Sequence, residues 1–216
     1  MYTFRTILPA VILLGLGGCV IAPSAGPTTP DGLEKRPSNQ VDSVYAAPGA
    51  SLVKYKKVML DELDVAFKAD WQMHHPGISP NEIADIRTLG AGLFRAAFSS
   101  ELEKGGYPIV TAPGPDVLRV KAAVVDVDFA SADAAAAGVG GKYIVSTADV
   151  SLVGELRDSQ SGAVIARVID RNRGRNQGNL QMSSDANPSK EAVQAFSTWA
   201  GLLRKALDDA RKPLTK

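Results

Sequence analysis

Residues 117–129, VLRVKAAVVDVDF, are rich in β-branched side chains and predict a long β-strand. Residues 143–157 and 163–171 predict two further strands of the same kind. The five residues between these two strands, DSQSG at 158–162, are typical of a hairpin turn. We therefore expect the C-terminal half of the chain to contribute neighbouring strands to one sheet.

Upstream of the long strand, apolar residues alternate along residues 52–67 and predict a strand with one irregularity near Asp61 and Glu62. Residues 107–110 predict a short strand, and TAPGPD at 111–116 predicts the turn that follows it. Together these segments bring the expected number of strands to about five.

A long helix is predicted after the first strand. Ser79 can accept a hydrogen bond as the N-cap, Pro80 fits the first turn, and Glu82 can complete a capping box. Apolar residues at helical spacing continue to Leu102, and two glycines at 105–106 end the pattern. We therefore expect one continuous helix over this segment.

A second helix is predicted near the C-terminus, where Asn187-Pro188 opens an apolar stripe that ends before Pro213. The element order is therefore β-α-β-β-β-β-α. This order predicts one α+β domain, a two-layer sandwich of two helices on a mixed or mainly antiparallel sheet. We expect both helices on one face of the sheet, with the other face half exposed or covered by a partner or by the N-terminal linker.

The N-terminus has the pattern of a targeting segment. Residues 1–18 contain Arg5 and then the apolar run ILPAVILLG at 7–15, which is too short for a comfortable transmembrane helix. LGGC at 16–19 resembles the lipobox of bacterial lipoprotein precursors, in which cleavage leaves a lipid-bearing cysteine at the new N-terminus. The resemblance implies a signal peptide at 1–18 and a lipid on Cys19. An ordinary secretory signal or a buried free cysteine are the alternatives.

Pro, Gly, Ser, Thr and Ala dominate the segment after the signal, so residues 19–50 predict a lipidated cysteine followed by a flexible linker. Residues 51–216 form the expected folded domain. In Gram-negative lipoproteins an aspartate after the cysteine usually signals retention in the inner membrane, and Val20 stands there instead. The resemblance therefore implies attachment to the outer membrane, with the domain facing the periplasm.

The charge balance bears on possible partners. Residues 1–18 contain one basic and no acidic residue, which leaves 23 basic and 23 acidic residues in the rest of the chain. Such a chain has no global attraction for nucleic acid or for an anionic membrane surface. A single cysteine cannot form an internal disulfide, so the domain depends on its apolar core. We expect the protein to reach the membrane through its lipid, and we expect no nucleic-acid partner.

Arg171, Arg173 and Arg175 alternate at the end of a predicted strand and would share one face of an extended chain. Guanidinium groups match the geometry of carboxylates and phosphates. This stretch is therefore a candidate contact for peptidoglycan carboxylates, lipid headgroups or an acidic protein. The alternative is a solubilising loop that pairs with nearby aspartates.

The two histidines, His74 and His75, lie beside Trp71 and Met73. Adjacent histidines on a loop point apart, so a metal site would need acidic side chains to converge with them. A serine hydrolase of the G-x-S-x-G type is excluded by the sequence, and GVGG at 138–141 precedes a strand instead of the helix that a phosphate site needs. We therefore expect no catalytic residue, no metal and no cofactor.

Four short motifs remain: YKKVMLD at 55–61, PDVLRV at 115–120, ELRDSQSG at 155–162 and VIDR at 168–171. In these motifs the chain resembles the bacterial lipoproteins grouped as the DUF3313 family. The resemblance covers most of the chain after the linker, and it implies the fold and a location in the cell envelope. It implies no activity, because the function of the family is uncharacterised.

These observations favour a non-enzymatic accessory or adaptor lipoprotein that acts by contact with an envelope protein or with peptidoglycan. One alternative is a small-ligand binder with a pocket between sheet and helices, near Trp71 and Trp199. A hydrolase is the remaining alternative, and it would need His74 or His75 beside a nucleophile in a cleft.

Overall fold

The computed structural model describes residues 27–74, 76–131, 143–146, 151–171 and 188–212. The strands are β1 (Glu34–Arg36), β2 (Ser43–Ala46), β3 (Lys57–Leu60), β4 (Asp64–Phe67), β5 (Val117–Ser131), β6 (Tyr143–Ser146), β7 (Ser151–Asp158) and β8 (Val164–Arg171). The helices are α1 (Trp71–His74), α2 (Pro80–Lys104) and α3 (Pro188–Arg211). Both predicted long helices are therefore present, and α1 is a single additional turn.

The strands form one mixed sheet with the order β1-β2-β8-β7-β5-β3. β4 and β6 also pair with β5, so among the described strands β5 has the most pairing partners. β3 and β4 run parallel to β5, and the other pairs are antiparallel. The predicted α+β sandwich with a mixed, mainly antiparallel sheet is confirmed, although the described residues form eight strands instead of five.

The strand predicted at 52–67 is two short strands, β3 and β4, which lie one after the other along β5. At the break, the backbone N–H of Asp61 donates to the carbonyl of Val120 at 2.9 Å, while the Asp61 carboxylate turns toward Arg119. The predicted irregularity therefore places a charged group on the sheet. The strand predicted at 107–110 forms only one bridge to β3.

Both long helices pack on the same face of the sheet, as the sequence predicts. The Phe94 ring on α2 meets the Phe196 ring on α3 edge-on, with centroids 5.7 Å apart, in one buried cluster with Leu118 on β5. Burying a side chain of this size contributes roughly 1.5–3 kcal/mol. Ser79 forms the predicted capping box with Glu82, and the helix ends before two glycines. Among the described helices, none has an apolar stretch of membrane-spanning length.

The prediction of a flexible linker at 19–50 is wrong for residues 27–50, because these residues belong to the fold. β2 pairs with β8, where Val44 lies opposite Val168, and β1 pairs with the outer edge of β2. Tyr45 on β2 is only 3% exposed. These strands have three and four residues, too few for an alternating pattern to be recognised in a segment rich in turn-forming residues. The hydrogen bonds of β2 come from β8, far away in the sequence, and β1 joins the sheet through β2.

Candidate functional site

The sheet face opposite the helices, here called the polar face, carries a row of charged residues. Lys121 on β5 lies opposite Glu155 on β7, and Glu155 lies opposite Arg167 on β8. Arg119 and Arg157 form the neighbouring pair of β5 and β7. Strand side chains alternate between faces, and the intervening residues of β5 belong to the core. The strand register therefore gathers these five charges on one surface.

The carboxylate of Glu155 ties β7 to β8. It accepts hydrogen bonds from Nε of Arg157 at 2.9 Å and from Nη2 of Arg167 at 2.8 Å. Arg167 also donates to Asp31 at 2.7 Å, which fastens the N-terminal segment to the polar face. Burial alone would raise the pKa of Glu155, but hydrogen bonds from the two arginines outweigh burial and lower it. The hydrogen bond from Arg167 also lowers the pKa of Asp31 to about 2.

An open groove of about 380 Å³ lies at the β3 edge of the sheet. Both carboxylate oxygens of Asp61 accept from Nε of Arg119 there, at 2.8 and 3.0 Å. Arg95 on α2 reaches the same groove and donates to the carbonyl of Leu60 at 3.3 Å. The Arg119 side chain is 42% exposed, so the groove presents a cationic group to solvent. The groove is lined by Met59, Leu60, Asp61, Arg95, Val110, Thr111, Pro113, Arg119 and Ser159.

The turn between β7 and β8 forms one wall of the groove. The buried Ser159 hydroxyl donates to the carbonyl of Gly114 at 2.9 Å and accepts from its N–H at 3.0 Å. Asp158 accepts from Nζ of Lys54 at 2.7 Å and from the hydroxyl of Tyr55 at 2.9 Å. The hydrogen bond from Lys54 is the largest of several that hold the pKa of Asp158 well below its usual range. These bonds fix the turn against β3 and the loop before β5.

Three of the motifs that carry the family resemblance meet at this groove. They contribute one polar lining residue each: Asp61 from 55–61, Arg119 from 115–120 and Ser159 from 155–162. Asp61 and Arg119 are 58 positions apart in the sequence, so spacing alone gave no sign of their pairing. The alternating charges of LRVK at 118–121 and ELR at 155–157 are the signal that indicates a polar sheet face.

The arginines that the sequence singles out are not at the groove. Arg171 is exposed on the polar face at the opposite end of β8, and its backbone N–H donates to Asp42 at 2.9 Å. Arg173 and Arg175 lie outside the described residues, as does Cys19. A partner contact through the three arginines and a lipid on Cys19 therefore stay predictions.

The sequence predicts a small-ligand pocket near the two tryptophans, and neither tryptophan lines the groove at the β3 edge. Trp71 and Trp199 are 3% and 8% exposed and belong to the core, and the Trp199 indole N–H donates to Asp170 at 2.8 Å. His75 and the side chain of His74 lie outside the described part of the chain. Within that part, no three His, Cys, Asp or Glu side chains are grouped as a metal ion requires.

Several solved structures share a distant similarity with this chain. The PelC dodecamer from Paraburkholderia phytofirmans is 16% identical over 74% of this chain and 96% of its own, with a TM-score of 0.37. A minor lipoprotein from Acinetobacter baumannii is 10% identical over 74% and 97%, with a TM-score of 0.34. A DUF330 protein from Xanthomonas campestris is 12% identical over 77% and 94%, with a TM-score of 0.33. Similarities this distant assign no function.

No curated protein sequence matches the chain. The model of the family described as a protein of unknown function, DUF3313, matches residues 26–203. The matched residues include β1 and β2, in agreement with their place in the sheet. They make up most of the sequence, and the resemblance carried by the short motifs is confirmed: the chain belongs to the DUF3313 family.

Proposed function

We propose that this protein is a lipid-anchored component of the bacterial envelope that works without catalysis, as an accessory or adaptor that contacts a protein or the cell wall. The observation that carries the proposal is the polar groove at the β3 edge, where three family-like motifs meet. The guanidinium groups of Arg95 and Arg119 suit a carboxylate-bearing partner, such as an acidic protein segment or a peptidoglycan stem peptide.

The hydrogen bonds of the groove support contact over catalysis. A catalytic hydroxyl needs a neighbouring base to take its proton, whereas Ser159 donates to the carbonyl oxygen of Gly114. Asp61 accepts from Arg119 with both of its oxygens. The groove therefore has fixed charges and fixed dipoles, which are suited to recognition.

The proposal also includes a cellular location for the protein. A lipid on Cys19, followed by Val20, would hold the chain at the periplasmic side of the outer membrane. Acyl chains supply about 0.8 kcal/mol per buried methylene, so several chains give durable attachment without help from charge. The predicted contact through Arg171, Arg173 and Arg175 remains a second surface for the same kind of partner.

Site-specific photo-crosslinking in cells tests the contact at the groove. A photoreactive residue replaces Thr111, which is exposed at the rim of the groove, or Thr198, which is exposed on α3 and serves as the control. We expect a discrete crosslinked product from position 111, and at least tenfold less from position 198. Adding Arg119→Gln should remove the product at position 111. Identical products from both positions, or a product at 111 that survives Arg119→Gln, would contradict the proposal.

A small-ligand binder is the second candidate, and one observation favours it. A groove volume of about 380 Å³ lies at the lower end of the range for small-molecule sites, about 300–1,000 Å³. Soluble muropeptides and short acidic peptides are suitable probes because both carry carboxylates. Binding at the groove should raise the Tm of the wild-type protein and have less effect on Arg95→Gln. A set of such probes that leaves the Tm unchanged would remove this candidate.

A further inference from the structure

The N-terminal edge of the sheet is built by a compact hairpin at residues 27–36. The N–H of Thr29 donates to the carbonyl of Leu33 at 2.8 Å, and the N–H of Lys35 donates to the carbonyl of Pro27 at 2.8 Å. The ion pair between its turn and β8 fastens the hairpin to the polar face. The hairpin is therefore joined to the sheet both through β1 and through Arg167.

The start of this hairpin limits how far the fold can stand from a lipid on Cys19. Pro27 follows Cys19 by eight positions, and an extended chain spans at most about 3.6 Å per residue. The two residues are therefore no more than about 29 Å apart. If the linker extended to residue 51, the maximum distance between Cys19 and the start of the fold would be about 115 Å. A lipid on Cys19 would therefore keep the β1 edge of the sheet within about 29 Å of the membrane.

We propose that the β1 edge of the sheet rests against the lipid headgroups of the bilayer that holds the lipid of Cys19. This orientation rests on the lipid anchor of the proposed function. In the order β1-β2-β8-β7-β5-β3, the opposite edge lies five strand spacings away, or about 24 Å at about 4.8 Å per spacing. The orientation therefore presents the groove at β3 away from the membrane, where a partner can reach it.

The side chains at the β1 edge suit headgroups and not acyl chains. Lys35 and Arg36 are exposed, and Arg36 pairs with Glu34 at 2.9 Å. Cations and their partners can exchange with the phosphates and amines of headgroups. In the described part of the chain, the exposed large apolar side chains lie on other elements: Val53, Met73, Leu89 and Val193. The edge is therefore built to lie on the bilayer surface without inserting.

Fluorescence quenching by labelled headgroups tests the orientation. Cys19 is the single cysteine, so once it is lipidated an introduced cysteine is the only free thiol. Lys35→Cys places a dye at the β1 edge, and Thr111→Cys places it at the groove. The full-length lipidated protein is reconstituted into vesicles of phosphatidylethanolamine and phosphatidylglycerol that contain a lipid with a quencher on its headgroup. We expect quenching at least threefold stronger at position 35 than at position 111.

A tether insertion supplies the matched control. Ten Gly and Ser residues between positions 26 and 27 add up to about 36 Å of reach and should remove most of the difference. The same insertion after Lys216 should leave the difference unchanged. Equal quenching at both positions, in protein that co-floats with the vesicles, would overturn the orientation and leave the proposed function standing. Protein that fails to co-float would overturn the anchor and the orientation with it.

Discussion

Gly105, just after α2, is a residue at which one methyl group has no room. A Cβ there would lie 2.7 Å from Cδ of Arg204 on α3, and Arg204 is held by Glu101 at 3.0 Å. Gly105→Ala is therefore expected to lower the free energy of unfolding by about 1–3 kcal/mol. Gly92, inside α2, has no atom within 4 Å of the same methyl. Gly92→Ala should raise the free energy of unfolding by about 0.5–1 kcal/mol, because alanine is the better helix former.

Urea unfolding followed by tryptophan fluorescence measures both changes, because Trp199 lies in the core on α3. The two variants add the same methyl group to α2 or its end, so opposite signs distinguish the steric clash at Gly105 from the gain in helix propensity at Gly92. Two stabilising substitutions would show that α2 and α3 approach each other less closely than the structure has them.

Asp31 gives the fold a specific dependence on pH. The hydrogen bond from Arg167 lowers its pKa from the ordinary 3.8 to about 2. The stabilisation is therefore complete above about pH 4 and is lost as the pH falls toward 2, since the unfolded chain takes up the proton first. The Asp31 side chain is 44% exposed, so solvent screening limits the effect to less than about 1 kcal/mol.

Calorimetry of Asp31→Asn at low ionic strength checks this assignment. Its Tm should lie below that of the wild type at pH 6, and the difference in Tm should narrow between pH 4 and pH 2. Asp85→Asn, on the exposed surface of α2, is the control and should show no such narrowing. If the difference in Tm between Asp31→Asn and the wild type stays constant over this pH range, the ion pair between Asp31 and Arg167 does not form in solution.

Among the secondary-structure elements, those with ends determined by their own residues could be predicted from the sequence. The capping box of Ser79 marks the start of α2, and the hairpin turn at 158–162 includes Gly162 at a φ of +71°. β1 and β2 could not be predicted, because short strands gain their hydrogen bonds from a neighbour. The neighbour of β2 is β8, about 120 positions downstream, which no local pattern indicates, and β1 joins the sheet through β2.

Deletion of residues 27–46 distinguishes a linker from part of the sheet. The deletion removes β1 and β2, exposes the edge of β8, and loses the buried side chains of Leu33 and Tyr45, each worth roughly 1.5–3 kcal/mol. We expect a Tm lower by about 6 °C or more, at about 2–4 °C per kcal/mol for a domain of this size. We also expect self-association through the open edge, visible by size-exclusion chromatography.

Deletion of residues 20–26 is the matched control for this experiment. It shortens the same segment of the chain but leaves every described residue in place. Both this variant and the protein without the deletion are made without the signal peptide and with Cys19→Ser. We expect the two proteins to have the same Tm. An unchanged Tm for the longer deletion would restore the linker interpretation of residues 27–46.

At the scale of the whole molecule, the sequence predicts the layers but not the groove. Hydrophobic periodicity is a local property, so the α+β sandwich and the shared helix face follow from it. The groove depends on contacts between distant segments: Asp61 and Arg119 are 58 positions apart, and Tyr55 and Asp158 are 103 apart. Closely spaced arginines such as Arg171 and Arg173 are noticed in a sequence, whereas the order of strands in the sheet decides which charges become neighbours in space.

The neutrality of the whole chain leads to a prediction about its membrane attachment. After residues 1–18, basic and acidic residues are equal in number, so a lipid and not charge should hold the protein. At 1 M salt the screening length is about 3 Å, which releases proteins bound by surface charge. We expect a 1 M NaCl wash to leave the wild-type protein in the membrane fraction.

The variant Cys19→Ser tests the same attachment by removing the site of lipidation. Without the thiol no lipid can be added, so the membrane-bound species of mature size should disappear in fractionation followed by immunoblotting. Val20→Ser, a change at the next position that keeps the thiol, should retain that species. Release of the wild-type protein by salt, or a Cys19→Ser protein that still sediments with membranes at mature size, would mean that something other than acyl chains holds this neutral molecule at a bilayer.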